Sequence, residues 1–414
     1  MTSGRAIQSA LDIGHGTVRV VIAERVEDEK VRLLGAGMAS SKGLSRGMPL
    51  AVKPMVLAVE EAIAAAEERA GIEIDEIHLG VSGAELGSSA HEAHLLVTRN
   101  PLDTRSSLIQ DQHVRQVREL AEHSQSVQID RTVLHRLIQE YLVDGAEGVQ
   151  NPLGLHGMRL DLRTHFLSVP HNTVESLKAC VQKSSVAVGS VSLTTLAASE
   201  AALSDDEREL GVLLMDFGAG STDLILHADG KVRHAASVPV GSAAITSDIS
   251  RAFRTPGSEA ERIKCKHGAC DGRLIRRDER FQIQFTGGEG GEEASRSQLC
   301  QVIQPRMEEI LELVERELEA SNMRWMLGGG IVVTGGGACL EGLPDLMRDR
   351  YGLPVRLGAP RGVVDMDSST AVLEWTPVIG LAKMALRQAP MRNGSQASRT
   401  LMDWVNRLRR QVAL

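Results

Sequence analysis

The chain has 414 residues, of which 42% are hydrophobic and 24% are charged, and its formal net charge at pH 7 is −8. This length predicts two or three packed domains, and the acidic balance argues against nucleic acid as a partner. The five cysteines contain no C-x-x-C pair, which argues against a disulfide framework and against a zinc site. No apolar run reaches the ~20 residues of a membrane-spanning helix, and the first residues lack a signal-peptide pattern, so we expect a chain that is neither exported nor transmembrane.

The first part of the chain alternates between strand and helix patterns. Apolar and β-branched runs predict strands over residues 6–13, 18–23 and 31–37. A helix is predicted from Pro54 to a stop at Gly71, and IHLGVSG follows as a short buried strand. Strands followed by a helix and another strand indicate an α/β unit.

Residues 84–166 are more polar, which predicts a small inserted domain with a helix over residues 111–123 and strands around residues 133–138 and 159–169. The α/β rhythm then resumes. Its predicted elements, in chain order, are helix 172–183, strand 186–191, helix 193–203, strand 210–217, a hairpin turning at Asp229-Gly230, helices 242–253 and 258–267, a glycine- and acid-rich loop 286–293, an amphipathic helix 298–320 with Pro305 as a candidate kink, and strand 331–334.

Three hydrophobic strands end in glycine-rich turns: LDIGHGT, MDFGAGSTD and IVVTGGG. Glycine lets backbone N–H groups approach an anion closely, which is how proteins cradle phosphate. In the first two turns the strand ends in an aspartate, Asp12 or Asp216, and a carboxylate there can hold Mg²⁺ through its water ligands. One such turn alone is most often a tight turn without a ligand. Two of them in related α/β segments, with a third glycine turn, indicate a nucleotide cleft.

The motifs of other nucleotide-binding folds are absent from the sequence. There is no G-x-x-x-x-G-K-[ST] run, and no G-x-G-x-x-G opens a helix after a strand. The DFG that begins at Asp216 is not a protein-kinase motif, because the chain has neither a V-A-I-K strand nor an H-R-D loop.

The glycine turns carry a resemblance to a known superfamily. LDIGHGT resembles the first phosphate motif of the superfamily that contains actin, the heat-shock chaperone ATPases and sugar kinases; MDFGAGSTD resembles the second, and IVVTGGGACLEGL resembles the adenosine motif. Further stretches, among them LGAGMASSKGLSRGMPL, IQEYLVDGAEGVQNPLGLHGMRL and VPVGSAAITSDISRAFRTPGSEAERIKCKHG, make the chain similar to the FtsA family of bacterial cell-division proteins. The similarity extends over residues 7–384, and the polar insert lies where that family has its distinctive subdomain.

The resemblance implies an α/β, two-lobed actin-like ATPase fold with an inserted small α+β subdomain, called 1C, and a C-terminal amphipathic helix. The implied division of the chain is subdomain 1A in residues 1–83, 167–193 and 358–387, subdomain 1C in 84–166, subdomain 2A in 194–238 and 298–357, subdomain 2B in 239–297, a linker in 388–399, and the helix in 400–414.

The same resemblance implies a site for ATP and Mg²⁺ between the lobes. The implied nucleotide contacts come from the two phosphate turns, from the AERIK helix and from the adenosine turn: Asp12, Gly14, His15, Gly16 and Thr17; Gly218, Ala219, Gly220, Ser221 and Thr222; Glu261 and Lys264; and Gly335, Gly336 and Gly337. Asp12 and Asp216 would hold Mg²⁺ through water, and Asp216 is also the candidate for a role in hydrolysis. Lys264 alone could be a solvated helix lysine, but its spacing from Glu261 puts both side chains on one helical face.

Both phosphate turns depart from the family pattern. His15, Gly16 and Thr17 stand where that pattern is closer to Thr-Ser-Lys, which removes a hydroxyl and a cation from the first turn. In the second turn Ala219 replaces a glycine and adds a Cβ where the backbone approaches phosphate, and Phe217 is bulkier than the usual isoleucine. We therefore expect the protein to bind ATP with Mg²⁺ and to hydrolyse it slowly.

The final stretch TLMDWVNRLRRQVAL predicts an amphipathic helix that lies on an anionic membrane surface. Its candidate membrane-binding residues are apolar on one side, Leu401, Trp404, Val405, Leu408 and Val412, and basic around the other, Arg407, Arg409 and Arg410. The alternative on pattern alone is a helix docked on the body of the protein. The preceding linker and the resemblance to the FtsA family favour the membrane.

The resemblance implies a cell-division protein that self-assembles as a homo-oligomer or filament at the cytoplasmic face of the cell inner membrane, at the division site. It would tether the ring of FtsZ, a tubulin-like protein, and recruit later division proteins through the inserted subdomain. Two alternatives stay open. A small-molecule kinase of the same superfamily would need a substrate pocket with a catalytic base, and an actin-like pilus-assembly protein would have no need of its own lipid helix.

Overall fold

A computed structural model gives the fold of the chain, and it describes residues 6–26, 30–41, 44–45, 47–83, 85–97, 106–123, 130–276, 278–284, 291–364 and 373–389. No helix among these residues is long and apolar enough to cross a membrane. The predicted tail helix over residues 400–414, with all its candidate membrane-binding residues, lies outside the described residues, as does the predicted linker beyond residue 389.

The described residues contain the following strands: β1 Ile7–Ile13, β2 Thr17–Arg25, β3 Val31–Ser40, β4 Leu44–Ser45, β5 Met48–Pro49, β6 Glu76–Val81, β7 Gly87–Leu96, β8 Ser107–Leu108, β9 Arg131–Val143, β10 Ala146–Val149, β11 His156–Gly157, β12 Arg159–Pro170, β13 Ala187–Leu193, β14 Val212–Phe217, β15 Thr222–Ala228, β16 Lys231–Val238, β17 Arg280–Gln284, β18 Gly291–Ser295, β19 Gly330–Thr334, β20 Val355–Leu357 and β21 Val363–Val364. The α-helices are α1 Val52–Ala70, α2 Asp111–His123, α3 His171–Lys183, α4 Thr194–Ala202, α5 Asp205–Leu210, α6 Ser242–Ala252, α7 Gly257–His267, α8 Arg296–Ser321, α9 Leu343–Tyr351 and α10 Thr376–Gln388. Short 3₁₀ turns lie at Gly272–Leu274, Arg324–Met326, Gly336–Cys339 and Leu373–Trp375.

The first lobe is built on a six-stranded sheet in the order β13-β6-β1-β2-β3-β21. β1, β2 and β3 form an antiparallel meander, β6 runs parallel to β1, and β13 runs parallel to β6. Helices α1 and α3 pack on one face around Val20, Val59 and Leu177, and α10 packs on the other with Ala197 and Ile379 in the core. Because both faces are covered, the central strands are almost continuously apolar.

The second lobe repeats this arrangement with a five-stranded sheet in the order β16-β15-β14-β19-β20. β14, β15 and β16 form the antiparallel meander, β19 runs parallel to β14, and β20 runs parallel to β19. The long helix α8 packs with α6, α7 and α9 around Met215, Ile263 and Met307. The predicted hairpin turn is confirmed, because Asp229 and Gly230 both adopt positive φ, at 54° and 69°.

The insert is a four-stranded antiparallel sheet in the order β10-β9-β12-β7, and α2 packs on one of its faces around Val117, Tyr141 and Leu162. This α+β unit lies between β6 and α3 in the chain, where the sequence predicted an inserted domain. The edge strand β7 was not predicted. Of its ten residues only Ala93 is fully buried, so no alternation of apolar and polar residues marks it as a strand.

Several predicted helices and strands begin or end at other residues in the structure. α1 begins at Val52 rather than at Pro54, because proline is tolerated in the first helical turn, where its missing N–H would have no partner. Its predicted stop is confirmed: Gly71 has φ 65° and its N–H donates to the carbonyl oxygen of Glu67. Leu193 ends β13 rather than opening a helix, so α4 spans a shorter range than predicted.

Three further differences lie nearer the C-terminus of the chain. The predicted loop over residues 286–293 overlaps β18, which begins at Gly291. The long helix α8 runs through Pro305 as a single element of 26 residues. Helix α10 extends to Gln388, so the first residue of the predicted linker is helical.

Candidate functional site

The first two glycine turns meet where the lobes face each other. The turn between β1 and β2 is closed by the Gly14 N–H, which donates to the carbonyl oxygen of Thr17 at 3.0 Å. An ideal Cβ on Gly16 would lie 3.4 Å from the Cβ of Ala219. A Cβ on Gly220 would lie only 2.8 Å from Cγ of His15, so the imidazole of the first turn packs directly on the backbone of the second.

The third turn passes over the end of β14. An ideal Cβ on Gly335 would lie 2.3 Å from Oδ1 of Asp216, and Gly335 has φ 85°. A Cβ on Gly337 would lie 2.4 Å from Cδ1 of Phe217, which packs beneath this turn. The turn therefore requires glycine at both positions, and the third predicted turn joins the same cleft as the other two.

Three buried aspartates line the cleft. Asp216 and Asp223 are Cα partners across the β14–β15 pair, and Asp12 extends from β1 of the other lobe. Burial raises the pKa of Asp12 to about 6; Arg19 opposes the rise and Asp223 adds to it. Burial raises the pKa of Asp216 well above its usual range, and the neighbouring Asp223 and Asp12 add to the rise.

Asp223 is held by three donors. Its carboxylate accepts hydrogen bonds from Oγ of Ser237, from the Gly83 N–H at 3.1 Å and from Oγ of Ser221 at 3.2 Å. These donors lower the pKa of Asp223, but burial raises it by more. Gly83 follows β6 of the first lobe, so this aspartate bonds one lobe to the other.

The donor set of the cleft suits Mg²⁺. Mg²⁺ binds carboxylate oxygens and keeps several of its waters. Asp12 and Asp216 are close enough for their charges to interact, and Oδ1 of Asp12 is buried without a hydrogen-bond partner among the described residues. A divalent cation between the two carboxylates would relieve their repulsion and give the orphaned oxygen a partner.

The hydroxyls of the second turn bond within the protein. The Gly218 N–H donates to the carbonyl oxygen of Ser221 at 3.0 Å and closes the turn. Ser221 donates its hydroxyl to Asp223, and buried Thr222 donates to the carbonyl oxygen of Val240 at 2.8 Å. The sequence implied that Ser221 and Thr222 contact the nucleotide, but both hydroxyls have partners within the protein. In this arrangement the backbone N–H groups are the donors that the turn offers to an anion.

Glu261 and Lys264 of α7 form an ion pair beside the second turn, with Nζ 2.7 Å from Oε2. Lys264 also donates to Oγ1 of Thr246 at 2.9 Å and to the carbonyl oxygen of Ser242, whose own N–H donates to the carbonyl oxygen of Gly218. The Lys264 side chain is 9% exposed, whereas that of Glu261 is 50% exposed. Glu261 is therefore the member of the pair that can reach a ligand, and Lys264 positions it.

Helix α7 also lies close to the third turn. Burial raises the pKa of the Cys265 thiol to about 11, and Cys339, at the end of that turn, is near enough to add to the rise. The first two glycine turns, helix α7 and the third glycine turn therefore lie around one cleft. The sequence had assigned no residue to the boundary between α7 and the third turn.

A cluster of interacting side chains on the first lobe was not predicted from the sequence. Arg19 of β2 is the Cα partner of Asp12 and is 9% exposed. It forms an ion pair with Glu374, and its guanidinium carbon lies 5.8 Å from the centroid of the Trp375 ring. Glu374 in turn packs against Gly336, since a Cβ there would lie 3.8 Å from its own Cβ. Side chains alternate between the two faces of the sheet along β2, and this alternation puts Arg19 on the same face as Asp12. That pattern could have predicted Arg19 as a neighbour of the cleft.

Comparison with known proteins decides the family. The family model described as "Cell division protein FtsA" matches residues 213–373, and the model described as "SHS2 domain inserted in FTSA" matches residues 80–168. The chain is 32% identical over 389 residues to cell division protein FtsA of Pseudomonas aeruginosa, which covers 93% of this chain and 90% of that relative. The chain belongs to the FtsA family. It is also 31% identical over 386 residues to FtsA of Escherichia coli strain K12, with 91% of this chain and 90% of that relative covered.

Solved structures share the fold at low sequence identity. The PilM–PilN type IV pilus biogenesis complex matches with a TM-score of 0.63 and 17% identity, over 92% of this chain and 99% of that chain. MreB5 of Spiroplasma citri bound to ADP matches with a TM-score of 0.51 and 15% identity, over 92% of this chain and 99% of that chain. These likenesses, with the matched SHS2 insert, confirm the predicted two-lobed actin-like fold with an inserted α+β subdomain.

Proposed function

We propose that the cleft of this FtsA-family protein binds ATP with Mg²⁺. The observation that carries the proposal is the meeting of two glycine turns from opposite lobes, each at the end of a strand that carries a buried aspartate. Asp12 and Asp216 would hold Mg²⁺ through its waters, and the metal would supply positive charge to the phosphates. The backbone N–H groups of Gly16 and Gly220 would face the phosphate oxygens, because those of Gly14 and Gly218 close their own turns.

The nucleoside end of the proposed site lies between α7 and the third turn. Glu261 is an exposed acceptor whose carboxylate Lys264 holds at 2.7 Å, and a carboxylate in that position suits the hydroxyls of a ribose. Gly335, Gly336 and Gly337 would allow the adenosine to lie directly on the backbone, because no side chain projects there.

Turnover is proposed to be slow. Burial raises the pKa of Asp216 well above its usual range, which disfavours the charged carboxylate that would hold the metal through its waters. The first turn also lacks the hydroxyl and the cation that the family pattern has at His15 and Thr17. Nucleotide would then act chiefly as a conformational ligand that changes the angle between the lobes.

The chain is a cell-division protein by its family, and we infer its place in division from that membership. It would self-assemble at the cytoplasmic face of the inner membrane at the division site, tether the FtsZ ring, and recruit later division proteins through the inserted subdomain. The C-terminal stretch around Trp404 and Arg407 would bind anionic lipid.

Nucleotide binding is tested by isothermal titration of MgATP into the full chain and into two glycine variants. Gly220→Ala puts a Cβ 2.8 Å from His15 Cγ, whereas Gly257→Ala at the start of α7 has no neighbour within 4 Å and serves as the matched control. We expect binding to the parent chain and to Gly257→Ala, and weakened binding to Gly220→Ala. A parent chain that binds no MgATP would refute the nucleotide proposal.

The division role is tested separately. The full chain should co-sediment with vesicles that contain anionic lipid, and a chain truncated after Gln388 should not; equal sedimentation of both would refute membrane binding by the tail. A fluorescently tagged chain should form a ring at mid-cell, and a diffuse signal in dividing cells would refute the role at the division site.

A further inference from the structure

Arg19 is a buried cation beside the cleft, and none of the glycine-turn motifs includes it. It lies opposite Asp12 on the adjacent strand, so the two side chains extend from the same face of the sheet. Its charge acts on both Asp12 and Asp216, which places the guanidinium near the two carboxylates of the cleft. No ion pair within 4.0 Å joins it to either of them among the described residues; its ion pair is with Glu374.

The guanidinium is held in place but retains a donor. Glu374 accepts a hydrogen bond from Nη2, and the ring of Trp375 lies 5.8 Å from the guanidinium carbon. The Nε–H is buried and has no partner in the part of the chain that the structure describes. A buried donor without a partner destabilises the folded protein. The contacts of the guanidinium with Glu374 and Trp375 do not satisfy this donor.

The charges around the cleft show what this cation could bind. Asp12, Asp216, Asp223 and Glu374 place four carboxyl groups around the single cation Arg19. An anionic polyphosphate would bring further negative charge, and the first turn has Thr17 where the family pattern has a lysine. A planar guanidinium with several N–H donors matches phosphate oxygens well.

We propose that Arg19 is a phosphate-binding residue of the nucleotide site, supplying from β2 the positive charge that the first turn lacks. Glu374 and Trp375 are positioning residues that hold the guanidinium beside the cleft. This inference rests on the proposed binding of MgATP. The alternative is a purely structural role, in which Arg19 would serve only to fix Glu374 against Gly336 of the adenosine turn.

Two substitutions separate these roles, because only one of them removes the cation. Arg19→Gln removes the charge and leaves Glu374 in place, whereas Glu374→Gln removes the ion pair and leaves Arg19 charged. Each full-length variant is titrated with MgATP and with AMP, which shares the nucleoside but has one phosphate. Circular dichroism and the urea midpoint of each variant establish that it is folded.

Arg19→Gln should weaken MgATP binding by about 10- to 100-fold, the usual effect of losing a hydrogen bond to a charged group. Its affinity for AMP should fall much less. Glu374→Gln, which removes the carboxylate that positions the guanidinium, should weaken MgATP binding by a smaller factor than Arg19→Gln and should also leave AMP affinity nearly unchanged. Arg19→Lys keeps a point charge without the planar fork and should show an intermediate loss of MgATP affinity. If Arg19→Gln fails to fold, the MgATP affinity of Arg19→Lys tests the proposal in its place.

Two results would overturn the inference while MgATP binding to the parent chain stands. The first is unchanged MgATP affinity in Arg19→Gln, or in Arg19→Lys where that variant decides. The second is an equal loss of MgATP and AMP affinity in both Arg19→Gln and Glu374→Gln, as a structural role predicts. A parent chain that binds no MgATP would instead remove the proposed function itself.

Discussion

Replacing Asp12 by asparagine should stabilise the nucleotide-free protein at neutral pH and abolish its stabilisation by MgATP. Asp12 is 7% exposed, and its Oδ1 has no hydrogen-bond partner among the described residues. Burial raises its pKa from 3.8 to about 6, with Arg19 opposing the rise and Asp223 adding to it. The folded protein therefore holds an ionised carboxylate at neutral pH only at a cost in free energy.

The sign of the effect follows from the linkage between protonation and folding. A carboxyl whose pKa is raised in the folded state contributes its full stability below pH 3.8, and that contribution is lost as the pH rises through about 6. At about 1.4 kcal/mol for each tenfold change in the protonation constant, the loss amounts to about 3 kcal/mol above pH 6. Asparagine has no proton to lose. The difference in free energy of unfolding should therefore shift by about 2.5 kcal/mol in favour of Asp12→Asn between about pH 4 and pH 7.5.

Urea unfolding of both chains at these two pH values, with a chelator present, measures the shift. Asp278→Asn is the matched control for the loss of one carboxylate, because the Asp278 side chain is 75% exposed. A second arm adds MgATP at pH 7.5, which should raise the urea midpoint of the parent chain and leave that of Asp12→Asn unchanged. A difference between the chains that is constant with pH, or that grows in favour of the parent, would refute the electrostatic reasoning.

Three other changes have expected outcomes. Adding His15→Ala to Gly220→Ala should restore part of the MgATP affinity that Gly220→Ala loses, because it removes the imidazole that the new Cβ would meet at 2.8 Å. Titration calorimetry measures the MgATP affinity of both variants. Glu207→Ala should lower the free energy of unfolding by about 1–2 kcal/mol at pH 7, since Glu207 closes the capping box of α5 and accepts hydrogen bonds from an arginine of β20. Its pKa is lowered to about 2, so urea midpoints should show this contribution fading as the pH falls from 4.5 towards about 2. His135 accepts a hydrogen bond from the Leu193 N–H, and burial lowers its pKa to about 4, so stability should fall as the pH drops from 6.5 towards 4, and His135→Gln should flatten that part of the urea-midpoint profile.

The sequence predicted the cleft because its features are local. A strand that ends in aspartate and glycine is written in consecutive residues, and the occurrence of this pattern at Asp12 and again at Asp216 reflects the repeated sheet arrangement of the two lobes. The hairpin at Asp229-Gly230 and the helix stop at Gly71 were predictable for the same reason, since each depends on a positive φ that few residues adopt.

The remaining features depend on contacts between distant parts of the chain. Arg19 and Glu374 are 355 residues apart, and no local pattern joins them. The commitment of the Thr222 hydroxyl to Val240 depends on how the segment before α6 folds back on the second turn. β7 owes its place to pairing with β12 rather than to its own weakly alternating sequence.

The repeated architecture makes the chemical difference between the two halves informative. In each lobe the aspartate at the end of the first strand of the meander has its Cα partner seven residues later: Arg19 for Asp12, and Asp223 for Asp216. The same backbone position thus holds a cation in one lobe and a carboxylate in the other. Burial is the main cause of the raised pKa at both aspartates, and the Cα partner is the next: Arg19 opposes the rise at Asp12, and Asp223 adds to it at Asp216. A cleft with a cation on one wall and paired carboxylates on the other is complementary to a ligand that carries both an anionic group and a metal ion, and neither lobe alone offers both.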